Sequence, residues 1–201
     1  MARKKTKQSP ASPESFPGDR LIAAVARALD KQKIDYVVIG GQAVIQHGHN
    51  RFTGDVDFTV HLPPWEVAKI LQLVKDVALT TEIPDPVRWV EEMHVLPCFY
   101  PPMKLGVDFS FVASDYIGHA VKRGDEFQIA GYGVRFLALE DLLLQKVIAN
   151  RPQDRIDVVE LLARHATVDF DYIRHWLGQF EQIVEEPLIE RFDQLLYDST
   201  Q

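Results

Sequence analysis

A chain of 201 residues, 46% of them hydrophobic, has the apolar material for one core, or for a small catalytic domain carrying a helical extension. No apolar run approaches the roughly 18 residues of a membrane-spanning helix. A single cysteine, Cys98, excludes an intrachain disulfide and a cysteine-based metal site. The net charge of −7 argues against a broad nucleic-acid-binding surface, but eight acidic and only two basic residues lie from Asp169 onward, which leaves room for a local basic path elsewhere.

Residues 1–17 are rich in Pro, Ser and Lys and lack apolar periodicity, which predicts a disordered basic tail. Such a tail can touch RNA, although a solvated leader is the simpler expectation. No apolar segment follows its basic start, so it does not read as a signal peptide, and the expected compartment is the cytoplasm. Asp19 is placed to cap a helix bearing Leu21, Ile22, Val25 and Leu29. Tyr36–Ile39 is a continuous apolar run ending in glycine, the pattern of a strand covered on both faces. A short helix over Gln42–His47 starts at Gly40-Gly41, and a second strand covers Asp55–Leu62. Pro63-Pro64 opens a helix carrying Trp65, Val67, Ala68, Ile70, Leu71 and Val74.

Asp85–Met93 reads as another short helix, followed by strands around Val95–Phe99 and Lys104–Val112. Phe127–Ile129 and Val134–Leu137, either side of Gly131-Tyr132-Gly133, form a hairpin or a bent edge strand. Beyond Leu139 the pattern is helical, with segments Glu140–Asn150, Gln153–His165, Asp171–Phe180 and Pro187–Tyr197. Tyr172, Trp176 and Phe180 at i, i+4 and i+8 read as helix packing rather than a base-stacking platform. The expected fold class is α/β (α+β). A small mixed β-sheet core with flanking helices occupies 18–138, and a C-terminal helical region packed on it occupies 139–201.

The chemistry concentrates in Arg51-Phe52-Thr53-Gly54-Asp55-Val56-Asp57-Phe58-Thr59-Val60. Strand alternation turns Asp55, Asp57 and Thr59 to one face and Val56, Phe58 and Val60 to the other. Two carboxylates roughly 4 Å apart repel by ~4 kcal/mol at an effective dielectric of about 20, so a cation is expected between them. Oxygen-only ligands suit Mg²⁺ or Mn²⁺ rather than zinc. Asp108, in Lys104-Leu105-Gly106-Val107-Asp108-Phe109-Ser110-Phe111-Val112, is a third acid on an otherwise apolar strand, which is uncommon unless it is ligated or paired. Were the two strands adjacent and in register, three carboxylates would meet and could hold two divalent ions about 3.5–4 Å apart.

Gly40-Gly41 would let the backbone approach a phosphate closely. Arg51 and Thr53 stand where side chains could reach a triphosphate, the alternative for Arg51 being a salt bridge that holds the loop. Lys146 lies three and four residues after Leu143 and Leu142, on or beside an apolar stripe, and needs an anion, either a nucleotide phosphate or a nearby acid. Asp154 and Asp157 share a helix face, as site support or as N-terminal helix charges. His47 and His49 lack further ligands at usable spacing and are expected to pack or cap a loop.

Taken together, Ile39-Gly40-Gly41, Asp55 and Asp57 among Val56 and Phe58, and Asp108 resemble the nucleotidyltransferase superfamily with the DNA polymerase β-like catalytic fold. Within it, Arg51-Phe52-Thr53-Gly54-Asp55-Val56-Asp57 is similar to minimal bacterial enzymes related to abortive-infection and toxin–antitoxin nucleotidyltransferases. Those also carry a later helical motif, matched here by Glu140-Asp141-Leu142, Lys146, Ala149-Asn150-Arg151, Asp154 and Asp157. The resemblance spans roughly Ile34 to Leu162. It implies a Mg²⁺-dependent enzyme that moves an NMP from an NTP to a hydroxyl acceptor (a tRNA or RNA end, a protein or a small molecule) and releases pyrophosphate. Asp55, Asp57 and Asp108 would be catalytic and hold two Mg²⁺ or Mn²⁺ ions; Gly40, Gly41, Arg51, Thr53 and Lys146 would bind the nucleotide, supported by Asp154 and Asp157. A toxin-like setting with an antitoxin partner follows from the same resemblance. A catalytically inactive nucleotide-binding or partner-binding module, and a hydrolase using the same metal pair, are the competing readings.

Overall fold

The computed structural model describes residues 18–112 and 114–201. The basic tail expected over 1–17 lies outside the described residues. The chain opens with α1 (Asp19–Lys31), whose Leu21, Ile22, Val25 and Leu29 are buried on one face. Its N-cap is Gly18, without a side-chain cap, and Asp19 sits inside the first turn. The expected Asp19 cap is therefore displaced by one residue, and the carboxylate acts on the helix dipole instead.

Strand β1 (Tyr36–Ile39) leads directly into α2 (Gly40–Gln46), so the glycines form the first turn of the helix rather than a loop before it. After β2 (Asp55–Val60) the proline pair opens a 3₁₀ turn, Pro64–Glu66, and then α3 (Val67–Asp76). Next come α4 (Pro86–Met93), where Asp85 accepts from the Arg88 N–H at 3.2 Å, then β3 (Val95–Tyr100) and β4 (Leu105–Phe111). A helix not anticipated from the sequence, α5 (Asp115–Arg123), follows, capped by the Ser114 side chain. The hairpin β5 (Asp125–Ile129) and β6 (Tyr132–Phe136) precedes α6 (Leu139–Ala149), α7 (Pro152–Arg164), α8 (Phe170–Val184) and α9 (Leu188–Asp198).

The described strands form a mixed six-stranded sheet in the order β3-β4-β2-β1-β6-β5. β2 runs antiparallel to β1 and parallel to β4. Tyr36, Val37 and Val38 are all buried, as a central strand covered on both faces requires. α6 packs against α2 on one side and α7, α8 and α9 on the other, joining the sheet to the C-terminal helices. One apolar cluster runs from Leu21 to Leu195 through both parts.

The helices around α6 are held by a buried carboxylate. Asp141 is fully buried and accepts from Tyr172 Oη at 2.6 Å, Tyr116 Oη at 3.1 Å and Arg123 Nε at 3.0 Å. Arg123 also pairs with Glu140 at 3.0 Å and lies 4.0 Å above the Tyr172 ring. Tyr116 rests against Trp176 and Phe180 at centroid distances of 4.8 and 5.0 Å, so the α8 aromatics pack onto α5. No described helix is long and apolar enough to cross a membrane.

Candidate active site

The site begins with strand register. β2 and β4 lie side by side in parallel, Asp57 opposite Asp108 and Asp55 opposite Gly106. On the inner face Val56, Phe58, Val107 and Phe109 are buried, and the Phe58 and Phe109 rings stack at 5.5 Å. Alternation then turns Asp55, Asp57 and Asp108 to the opposite face. Any one-residue slip would move the acids into the core, so the aromatic packing fixes their orientation.

The carboxylates feel one another. Burial, then Asp55, then Asp108 push Asp57 from 3.8 up to about 6, against the opposing pull of Arg151 and Lys146. Burial and the Asp55 charge also raise Asp108, partly offset by a backbone hydrogen bond from Cys98. Thr53 Oγ1 donates to Asp55 Oδ1 at 2.8 Å, orienting that carboxylate. Among the described residues no group of three His, Cys, Asp or Glu side chains is placed to hold a metal ion as it stands; Asp55, Asp57 and Asp108 form an open face two strands wide. Oxygen-only donors on an open face fit a hard, partly hydrated divalent ion, which takes one or two carboxylates and completes its shell with water and phosphate.

Both glycines are required by this face. Gly40 has φ +63°, and a Cβ there would stand 2.3 Å from Asp57 Oδ2. A Cβ on Gly41 would fall 2.4 Å from Thr53 Oγ1. The pair lets α2 start directly against the acidic strand. The cavity above it, about 330 Å³, is lined by Gly40, Gly41, residues 51–55, Asp57, Lys146, Arg151, Gln153 and Asp154. That volume is within the range of small-ligand pockets. A larger groove of about 580 Å³ lies between α7 and α9, away from the acids.

The far wall is a charge network between α6, α7 and the loop before β2. Lys146 Nζ lies 2.9 Å from Asp154 Oδ1 and 2.6 Å from Asp157 Oδ2, and all three residues are buried. Arg51 Nη2 donates to Asp157 Oδ2 at 3.1 Å, and its Nε lies 2.8 Å from Oδ1 without the alignment of a hydrogen bond. Arg151 Nε donates to Asp154 Oδ2 at 2.7 Å. Burial opposes ionisation of Asp154, but the hydrogen bonds from Arg151 and Lys146 outweigh it and hold its carboxyl below the ordinary value.

Lys146, expected to meet a nucleotide phosphate or a nearby acid, has two acid partners and faces the cavity from behind them, and Arg51 combines the loop salt bridge with a place in the lining. Asp154 and Asp157 both face inward and anchor these cations. His47 Nε2 donates to the Leu137 carbonyl at 2.8 Å, and His49 lies 3.7 Å from Asp157, consistent with roles in loop packing. Arg151, Phe52 and Gln153 line the cavity without having been singled out as site residues. Arg151 precedes Pro152 and stands three residues before Asp154, and that spacing was the available signal.

No protein-family model and no curated protein matches the chain. Solved structures do. An antigenic nucleotidyltransferase-like protein from Paracoccidioides brasiliensis aligns at 16% identity and TM-score 0.54, over 90% of this chain and 95% of that one. The ANT(2")-Ia structure in complex with adenylyl-2"-tobramycin aligns at 16% identity and TM-score 0.50, over 73% of this chain and 87% of its own. The lincomycin-bound lincosamide antibiotic adenylyltransferase LnuA aligns at 15% identity and TM-score 0.50, covering 73% and 96%. With its mixed sheet, glycine turn and acidic strands, the chain has the nucleotidyltransferase fold.

Proposed function

We propose that the protein is a Mg²⁺-dependent nucleotidyltransferase that moves an NMP from an NTP to a hydroxyl acceptor. The observation that carries this reading is the pairing of Asp57 with Asp108 across β2 and β4, with Asp55 on the same face beside a cation-walled cavity. Asp55 and Asp57 would hold two divalent ions, with Asp108 completing the set on the β4 side. Bound there, such ions neutralise triphosphate charge and acidify an acceptor hydroxyl. Arg51 and Arg151, with Lys146 behind them, draw the triphosphate into the cavity, and the absent Cβ atoms of Gly40 and Gly41 let it approach the backbone. The acceptor oxygen bonds to the α-phosphorus, its proton passes to Asp108, and the bond to the β-phosphate oxygen breaks as pyrophosphate departs.

The solved neighbours are described with tobramycin and lincomycin, small hydroxyl-bearing molecules, whereas the sequence motifs resemble toxin-like enzymes whose acceptors would be RNA or protein. The acceptor is therefore tested in three arms. Each α-labelled NTP is incubated with Mg²⁺ and, separately, total RNA, total protein and a panel of aminoglycosides and lincosamides. Label transfer in one arm, abolished in Asp57→Asn, is the expected outcome. Tight NTP binding with no transfer in any arm would instead identify a nucleotide-binding module, and release of labelled NMP to water would identify a hydrolase.

A further inference from the structure

Phe52 is the one large apolar side chain among the described residues lining the cavity, and it is 89% exposed. Its neighbours do not share that freedom. Thr53 is buried and tied to Asp55, while Arg51 donates from Nη1 to the Phe52 carbonyl at 2.9 Å and is itself held by Asp157. The backbone is thus fixed at both sides of a ring left in water. Gly54 lies beyond Thr53, and a Cβ there would make only ordinary contact, 3.8 Å, with the ring edge. A flat hydrophobic surface beside Arg51, Arg151 and Lys146, with the Asp55 and Asp57 carboxylates that would hold divalent ions in the same lining, suits a metal-bound anionic chain joined to an aromatic ring.

The cavity also has a direction. It lies on the β1 side of β2, with Gly40, Gly41, Asp55 and Asp57 in its lining, whereas Asp108 on β4 does not line it. The side away from Asp108 is where a nucleotide extends if the acceptor comes in over β4. We propose that the Phe52 ring is a stacking platform for the nucleobase of the nucleoside triphosphate, an assignment that rests on the nucleotidyltransferase reading of the acidic face. Stacking recognises any base, so Phe52 contributes affinity, and the choice among bases falls to polar groups around it.

Calorimetric titration of the full chain with Mg²⁺ and each of ATP, GTP, CTP, UTP and inorganic tripolyphosphate tests this. For the NTP that binds most tightly, Phe52→Ala is expected to weaken affinity roughly 5- to 150-fold, the range of one base–aromatic stack. Tripolyphosphate affinity should be unchanged, and Phe52→Trp should restore NTP binding. Unchanged NTP affinity in Phe52→Ala overturns the platform and leaves the nucleotidyltransferase reading intact. Equal losses for NTP and tripolyphosphate overturn it by showing that Phe52 only holds the Arg51 turn. Wild-type protein that binds neither ligand overturns both.

Discussion

At the scale of single residues, Asp57 carries opposing demands. It is pressed against Gly40, flanked by two other acids and partly buried, and its carboxyl is pushed from 3.8 up to about 6. An acid raised in the folded state binds more protons folded than unfolded between those two values. The ligand-free protein therefore loses stability as pH rises from about 4 to about 6, and does not regain it above. Asp57→Asn removes the charge at constant shape. We expect it to raise ligand-free stability at pH 7–8 by roughly 2–3 kcal/mol, or about 5–10 °C in Tm, while Mg²⁺ with NTP stabilises only the wild type. Thermal melts across pH 4–8 read both effects. An Asn variant that melts below wild type at pH 8, or responds equally to Mg²⁺ and NTP, contradicts this account. Asp55, Asp57 and Asp108 were legible as a group because carboxylates on an apolar strand need an external reason. Phe52 was not, because an exposed phenylalanine has no pattern until the cavity around it is known.

Among elements, β1, β2, β4 and the helices of the C-terminal half were legible from period and punctuation, with ends shifted by a residue or a few. α5 is amphipathic, with Tyr116, Ile117, Ala120 and Val121 at helical spacing facing the core, but it is short and Gly118 interrupts it, and it was missed in the sequence. Its signals were local: Ser114 at the cap, Asp115 in the first turn, and Lys122 and Arg123 in the last. What holds α5 in place is tertiary, the Asp141 carboxylate that also receives Tyr172 and Arg123. Glu140-Asp141-Leu142 was noted as part of a functional motif, and the structure gives its aspartate an architectural task. Asp141→Ala removes the acceptor of the Tyr116 and Tyr172 hydroxyls and of Arg123 Nε, while Arg123 keeps Glu140. The expected cost is about 3–5 kcal/mol in denaturant unfolding, with NTP affinity unchanged at temperatures where the protein remains folded. A loss under about 1 kcal/mol would mean that the α8 aromatics alone secure the helix.

Over the whole molecule, one apolar cluster joins the sheet to the helical part, and the acidic face and the cationic wall come from opposite sides of that junction. Asp55, Asp57 and Asp108 are supplied by the sheet. Lys146 and Arg151, with Asp154 and Asp157 holding them, come from α6 and its connection into α7. The separation in sequence between Arg51 and Asp157, which meet at 3.1 Å, explains why each charge could be noticed in the sequence but not their partnership. The account depends on divalent ions being drawn to the β2–β4 acids in the presence of nucleotide. Crystals grown with Mn²⁺ and a non-hydrolysable NTP test this most directly, through anomalous difference density. The account predicts peaks within direct coordination distance of Asp55, Asp57 and Asp108, with the triphosphate between them and Arg51 and Arg151. Bound nucleotide with no manganese at those carboxylates, or manganese held elsewhere, would contradict it.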